Sequence, residues 1–144
     1  FKLAGIPAEL GEPLEEAQWT KLVWNVPFNG LAIAEGGVTT DVLLDSPAIE
    51  QEIRHLMTEV ITAARTMGLS LSDELIDFNI DRTRPMGPYR PSSMIDFVEG
   101  REVEVDGIWG EPLRRGTEAG VAMPATAQLV AEIKARLAAR GCSS

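Results

Sequence analysis

The chain has 144 residues, 44% of them hydrophobic and 24% charged, which suits one domain with a real core and argues against a disordered chain or a second full domain. Thirteen Lys and Arg stand against 22 Asp and Glu for a formal charge of −9, so nucleic acid and anionic membrane are poor partners where no long basic patch interrupts the acids. The single cysteine, Cys142, excludes an internal disulfide, and no apolar run is long enough to span a membrane, so a cytoplasmic protein is expected.

The chain opens on Phe1 with no initiator methionine, as a fragment or processed product would. Residues 1–13 are rich in Pro, Gly and Glu and read as a linker or loop remnant, and residues 14–144 as one helical domain. The first helix is expected from Leu14 to Ala34, with Glu15 and Glu16 complementing the positive end of its dipole. Pro27 lies inside it, which predicts a kink or break between Asn25 and Asn29. After a turn at Gly36-Gly37 comes a short apolar piece, 42–44. Ser46-Pro47 then supplies an N-cap and a first-turn proline for a helix with Ile49, Ile53, Leu56, Val60 and Ala64 on one face, stopped by Gly68. His55, the only histidine, sits on the polar flank of that helix and reads as a solvated rim residue, because one His and one remote Cys make no zinc site.

Ser72-Asp73-Glu74 starts the next helix, which ends near Arg84-Pro85. Prolines at 85, 88 and 91 make a stiff loop that delivers Ser92-Ser93 to a short helix over 94–99 with an anion-friendly start. Beyond Gly100, a helix is expected with Val105, Ile108, Trp109 and Leu113 inward, although the alternation of Glu102, Glu104 and Asp106 with valines also fits a short extended entry. Pro124 starts a last helix carrying Lys134, Arg136 and Arg140 towards its own negative end. Six helices without a convincing strand pair predict an all-α, compact multi-helix domain.

Lys21, Asn25 and Asn29 recur at intervals of four and share one helix face. The chain contains no nucleophile elbow, no phosphate loop and no glycine fingerprint after a strand, so it has no recognisable nucleotide site of its own. The remaining polar groups suit a carbonyl substrate bearing a carboxylate. Lys21 can donate a proton or stabilise an alkoxide, Asn25 and Asn29 offer donors and acceptors, Ser93 can bind a carboxylate at a helix start, and Glu104 can hold a hydroxyl or steer the lysine. Spacing alone fits equally well a Lys21 that snorkels to solvent beside asparagines on a polar flank.

The run from Trp19 to Leu31, with Lys21, Asn25, Pro27 and Asn29 in place, resembles the start of the C-terminal domain of the ketopantoate reductase (2-dehydropantoate 2-reductase) family. A second block, Pro91-Ser92-Ser93-Met94 followed by Gly100-Arg101-Glu102-Val103-Glu104-Val105-Asp106 and then Gly110, Gly120 and Pro124, resembles the same domain in the same order. The resemblance implies an all-helical domain similar to those of 6-phosphogluconate dehydrogenase-like enzymes, closing on an N-terminal Rossmann domain that is absent from this chain and holds most of the NADPH. It further implies that Lys21 and Glu104 are catalytic and that Asn25, Asn29 and Ser93 bind substrate, with Arg90 standing where the family often has an asparagine and so altering how a carboxylate is held. On this basis the parent protein reduces ketopantoate on the way to pantothenate, its partners are a small 2-oxo acid, the Rossmann domain in cis and a second copy in a homodimer, no metal takes part, and the fragment alone is inactive. Two alternatives stay open: a reductase of another 2-oxo acid, and a helical dimerisation or interaction module.

Overall fold

One helix, α1 (Pro13–Ala34), runs through the middle of the molecule. Its first half has a wet side and a buried side, with Lys21 exposed and Trp19 and Val23 buried. Its second half is buried all round: every residue over 26–34 is shielded, which fits a composition apolar throughout except for Asn29. The structure, a computed structural model, describes residues 13–142, so the linker expected over 1–13 lies almost wholly outside the described residues, and so does the side chain of Cys142.

Around α1 are arranged α2 (Thr40–Leu44), α3 (Pro47–Thr66), α4 (Glu74–Thr83), α5 (Ser92–Val98), α6 (Glu111–Glu118) and α7 (Pro124–Cys142). A 3-10 turn, Arg84–Met86, extends α4, and a π-helical turn, Asp106–Gly110, leads into α6. Helix α1 packs on α3, α5 and α7, and α3 also meets α6 and α7. Among the described residues there is no strand, so the all-α expectation holds; residues 101–104 are unpaired chain, while Val105 and Asp106 already belong to the helical entry of the π turn. No helix among them is long and apolar enough to cross a membrane.

The core joins Val23, Phe28, Leu31 and Ile33 of α1 to Ile53, Leu56, Val60 and Ile61 of α3 and to Leu129 and Ile133 of α7. Ser46 caps α3, its hydroxyl accepting from the Ile49 amide at 3.3 Å, and Gly68 follows the helix with φ of +97°, a conformation glycine adopts without strain.

Three expectations are corrected. The first concerns the break expected at Pro27, in place of which α1 is continuous from Pro13 to Ala34. The proline leaves the carbonyl four residues back without its usual partner, but the surrounding helices bury that stretch on every side, and the Trp109 indole donates to the Val26 carbonyl at 3.0 Å beside it. Tertiary packing overrides the local breaker. The second concerns the number of helices, since α2 makes seven among the described residues; five residues are too few for a period to be seen in sequence. The third concerns what Arg136 and Arg140 bind: Arg140 does lie in the last turn of α7, but both it and Arg136 donate to carbonyls of other helices. Arg136 donates to the Ala34 carbonyl that terminates α1, at 3.0 Å, and Arg140 to the Phe97 carbonyl near the end of α5, at 2.8 Å.

Candidate functional site

The exposed side of α1 faces the π turn and α6 across an open concavity of about 350 Å³. Helix α1 contributes Trp19, Lys21 and Asn25 to it, and the opposite wall carries Gly107, Pro112 and Arg115. Close packing where the two walls meet depends on Gly30. A Cβ there would come within 2.5 Å of Leu129 Cδ2 and 2.8 Å of Trp109 Nε1, so only a residue without a side chain lets the π turn and α7 approach α1. The same contact holds Trp109, fully buried, with its N–H on Val26.

Lys21 is exposed and has no hydrogen-bond or ion-pair partner among the described residues, leaving its ammonium available to a ligand. Asn25, one turn on, is half-buried at the same concavity. Asn29, a further turn along, is 1% exposed and lies behind it. There its Nδ2 donates to Asn25 Oδ1 at 3.1 Å, while its Oδ1 accepts from the Ser93 backbone N–H at 2.8 Å. Asn29 therefore caps the first turn of α5 from another helix, where Pro91 has no side chain able to do so.

Lys21 and Asn25 thus share the concavity, and Asn29 and Ser93 form a buried layer behind Asn25. Ser93 is 5% exposed and does not line the concavity. Glu104 is exposed at its edge, with Oε2 3.5 Å from where a Cβ on Gly107 would stand. Arg90 is exposed on the loop before α5 and lies away from the concavity. His55 is exposed on α3, as a rim histidine should be. No cluster of three or more His, Cys, Asp or Glu suited to a metal ion occurs among the described residues.

Sequence reasoning missed Arg115 as a member of this site. Its Nη2 donates to Glu15 Oε2 at 2.8 Å, bridging α6 to the first turn of α1. A hundred residues separate the two, so no local spacing announces the pair. Glu111, also at the concavity, is held by Arg114.

Residues 14–137 match the family model described as ketopantoate reductase PanE/ApbA C terminal. The chain belongs to that family. A 2-dehydropantoate 2-reductase of Nostoc is 40% identical over 86% of this chain, and one of Caulobacter vibrioides is 33% identical over 81%. The crystal structure of a 2-dehydropantoate 2-reductase from Geobacter metallireducens superposes with a TM-score of 0.81 at 36% identity, covering 84% of this chain and 40% of that one. The chain spans 39% and 40% of the length of the two curated relatives, so it corresponds to the C-terminal domain of such proteins. Its all-helical architecture is that of the family's C-terminal domain, as the two sequence blocks implied.

Proposed function

We propose that this chain is the substrate-side domain, over residues 14–144, of an NADPH-dependent reductase that converts 2-dehydropantoate to pantoate, a step towards pantothenate. The observation that carries the reading is that Lys21 and Asn25 stand together on an open concavity in a chain of the ketopantoate reductase family. A free lysine ammonium beside a carboxamide suits a carbonyl oxygen that gains negative charge and then a proton.

In this reading the 2-oxo acid lies in the concavity with its carbonyl oxygen against Lys21 Nζ. The lysine stabilises the alkoxide as it forms and passes it a proton. Asn25 binds the substrate, and Asn29 and Ser93 orient Asn25 from behind. Glu104, at the rim beside Gly107, is the second catalytic group and holds a substrate hydroxyl or the lysine. Arg90 makes an outer contact once a second domain closes over the concavity. NADPH is the hydride source. The described residues offer a dinucleotide no strand followed by a glycine-rich turn, and an N-terminal Rossmann domain in cis would hold it. Closure of that domain would exclude water and strengthen the pull of Lys21 on the alkoxide.

The test uses a protein carrying this chain and the nucleotide-binding part together. It should oxidise NADPH with 2-dehydropantoate, and Lys21→Ala should lower kcat by about two to four orders of magnitude. The melting temperature should stay unchanged, because Lys21 is exposed and makes no internal contact through its charge. Retention of kcat in the variant would overturn the reading.

A further inference from the structure

We propose that Arg115 is the carboxylate anchor of the concavity, setting its preference for acids over neutral ketones. The inference rests on the reductase reading above and adds a specificity residue to it.

A 2-oxo acid carries its carboxylate on the carbon next to the reacting carbonyl, so a group that reads the carboxylate must share the site with Lys21. Lys21 and Arg115 are the two cationic side chains at the concavity, and they enter from opposite walls, α1 and α6. In a chain of net charge −9, a site for an anion needs a local positive pair of this kind. Arg115 is also held ready: Glu15 takes its Nη2 at 2.8 Å, and the side chain keeps 38% of its exposure. A guanidinium has five N–H donors in a fixed plane, so one arm on Glu15 leaves donors for a second carboxylate, and the ion pair removes much of the rotamer freedom that binding would otherwise have to restrict.

The other candidates for this task are engaged or elsewhere. Ser93 is 5% exposed and does not line the concavity, and its backbone N–H is given to Asn29. Arg90 lies off the concavity. Arg114, the neighbour of Arg115, turns to a different hollow beside Lys134 and is bound by Glu111 and by Glu118 at 3.5 Å. Its pairing with Glu111 also offsets the one negative charge among the residues lining the site.

The experiment compares steady-state kinetics of the whole reductase, unsubstituted and as Arg115→Gln, Arg115→Lys and the exchanged pair Glu15→Arg with Arg115→Glu. With 2-dehydropantoate, Arg115→Gln should raise KM at least tenfold with kcat within about threefold, and Arg115→Lys should fall between, keeping charge but losing the planar fork. The exchanged pair keeps a salt bridge between α1 and α6, and with it the melting temperature, yet puts a carboxylate on the groove. Its KM should rise at least as far as that of Arg115→Gln. With the 2-oxo amide in place of the acid, the unsubstituted enzyme should lose most of its kcat/KM, and Arg115→Gln should barely distinguish the two compounds. Turnover by the unsubstituted protein with KM unmoved in Arg115→Gln overturns the anchor and leaves the reductase reading standing. A KM that rises in Arg115→Gln but recovers in the exchanged pair also overturns it, since the ion pair alone would then matter. Absence of turnover by the unsubstituted protein removes the reductase reading and the anchor together.

Discussion

Asn29 is a carboxamide at 1% exposure, and both ends of it are in use. A buried amide of this kind is tolerated because each polar atom finds a partner, and removing it strands those partners rather than only losing contacts. Asn29→Ala should therefore destabilise the domain by about 2 kcal/mol, since the buried Ser93 N–H loses its acceptor, and urea unfolding would measure it. A loss below about 0.5 kcal/mol would mean that water replaces the amide. Sequence spacing correctly put Lys21, Asn25 and Asn29 on one face, but it could not tell that the row descends from solvent into the core. Depth depends on what packs over each turn. Arg115 escaped notice for a related reason, because its partner Glu15 belongs to the other end of the chain.

At the scale of helices, the recurring device is that one helix terminates another. Glu59 of α3 is buried, and its carboxylate accepts from the Ala125 and Thr126 amides at 2.9 and 2.8 Å and from the Thr126 hydroxyl at 2.7 Å. These are the first free amides of α7, whose leading residue, Pro124, has none to offer. Asn29 does the same for α5, and Arg136 and Arg140 of α7 bind carbonyls at the ends of α1 and α5. Glu59→Ala strips α7 of this cap and leaves three donors without an acceptor. It should cost about 3 kcal/mol in chemical denaturation, with Glu59→Gln costing less. Helix starts and stops were legible at Ser46-Pro47, Gly68, Gly100 and Pro124 because capping chemistry is local there. The cross-helix caps were not, and Glu59, which looks in sequence like part of a polar flank beside His55, is a buried structural group. The π turn over 106–110 was read as ordinary helix for the same reason, since its phase is set by the distant fit of Trp109 against Gly30 and Val26.

For the whole molecule, the excess of acids has a local expression where α1, α3 and α7 come together. Burial pushes the Glu52 carboxyl up, and repulsion from Glu132 and Glu35 adds to it. The folded state then holds this proton more tightly than the unfolded chain, so Glu52 carries a penalty above its folded pKa that fades as the pH falls through it. Glu50, one turn away from Arg54 on α3, is opposite. The hydrogen bond from Arg84 holds its carboxyl below the usual range, against some desolvation, so its stabilisation is present above the unfolded pKa and is lost as the pH falls through the folded one. Glu52→Gln should consequently raise the thermal midpoint by about 2 °C near neutral pH, with the gain closing towards about pH 4. Calorimetry over that range would show it, and a gain that grows on acidification would refute the assignment. The fold class itself was readable from the chain, because proline and glycine punctuate nearly every helix and two dense motif blocks carry the family pattern.

The link from Ser93 through Asn29 to Asn25 also has a direction. A peptide nitrogen can only donate, so it fixes which end of the Asn29 amide is oxygen, and that in turn fixes the oxygen of Asn25. Carboxamide oxygen and nitrogen scatter X-rays almost alike, yet here neither orientation is a matter of choice. The Asn25 NH₂ is left without a hydrogen-bond partner among the described residues, while the Asn25 oxygen is already partly taken by Asn29. A peptide group in α5 thereby orients an NH₂ that, beside the ammonium of Lys21, favours an oxygen on whatever enters this end of the hollow.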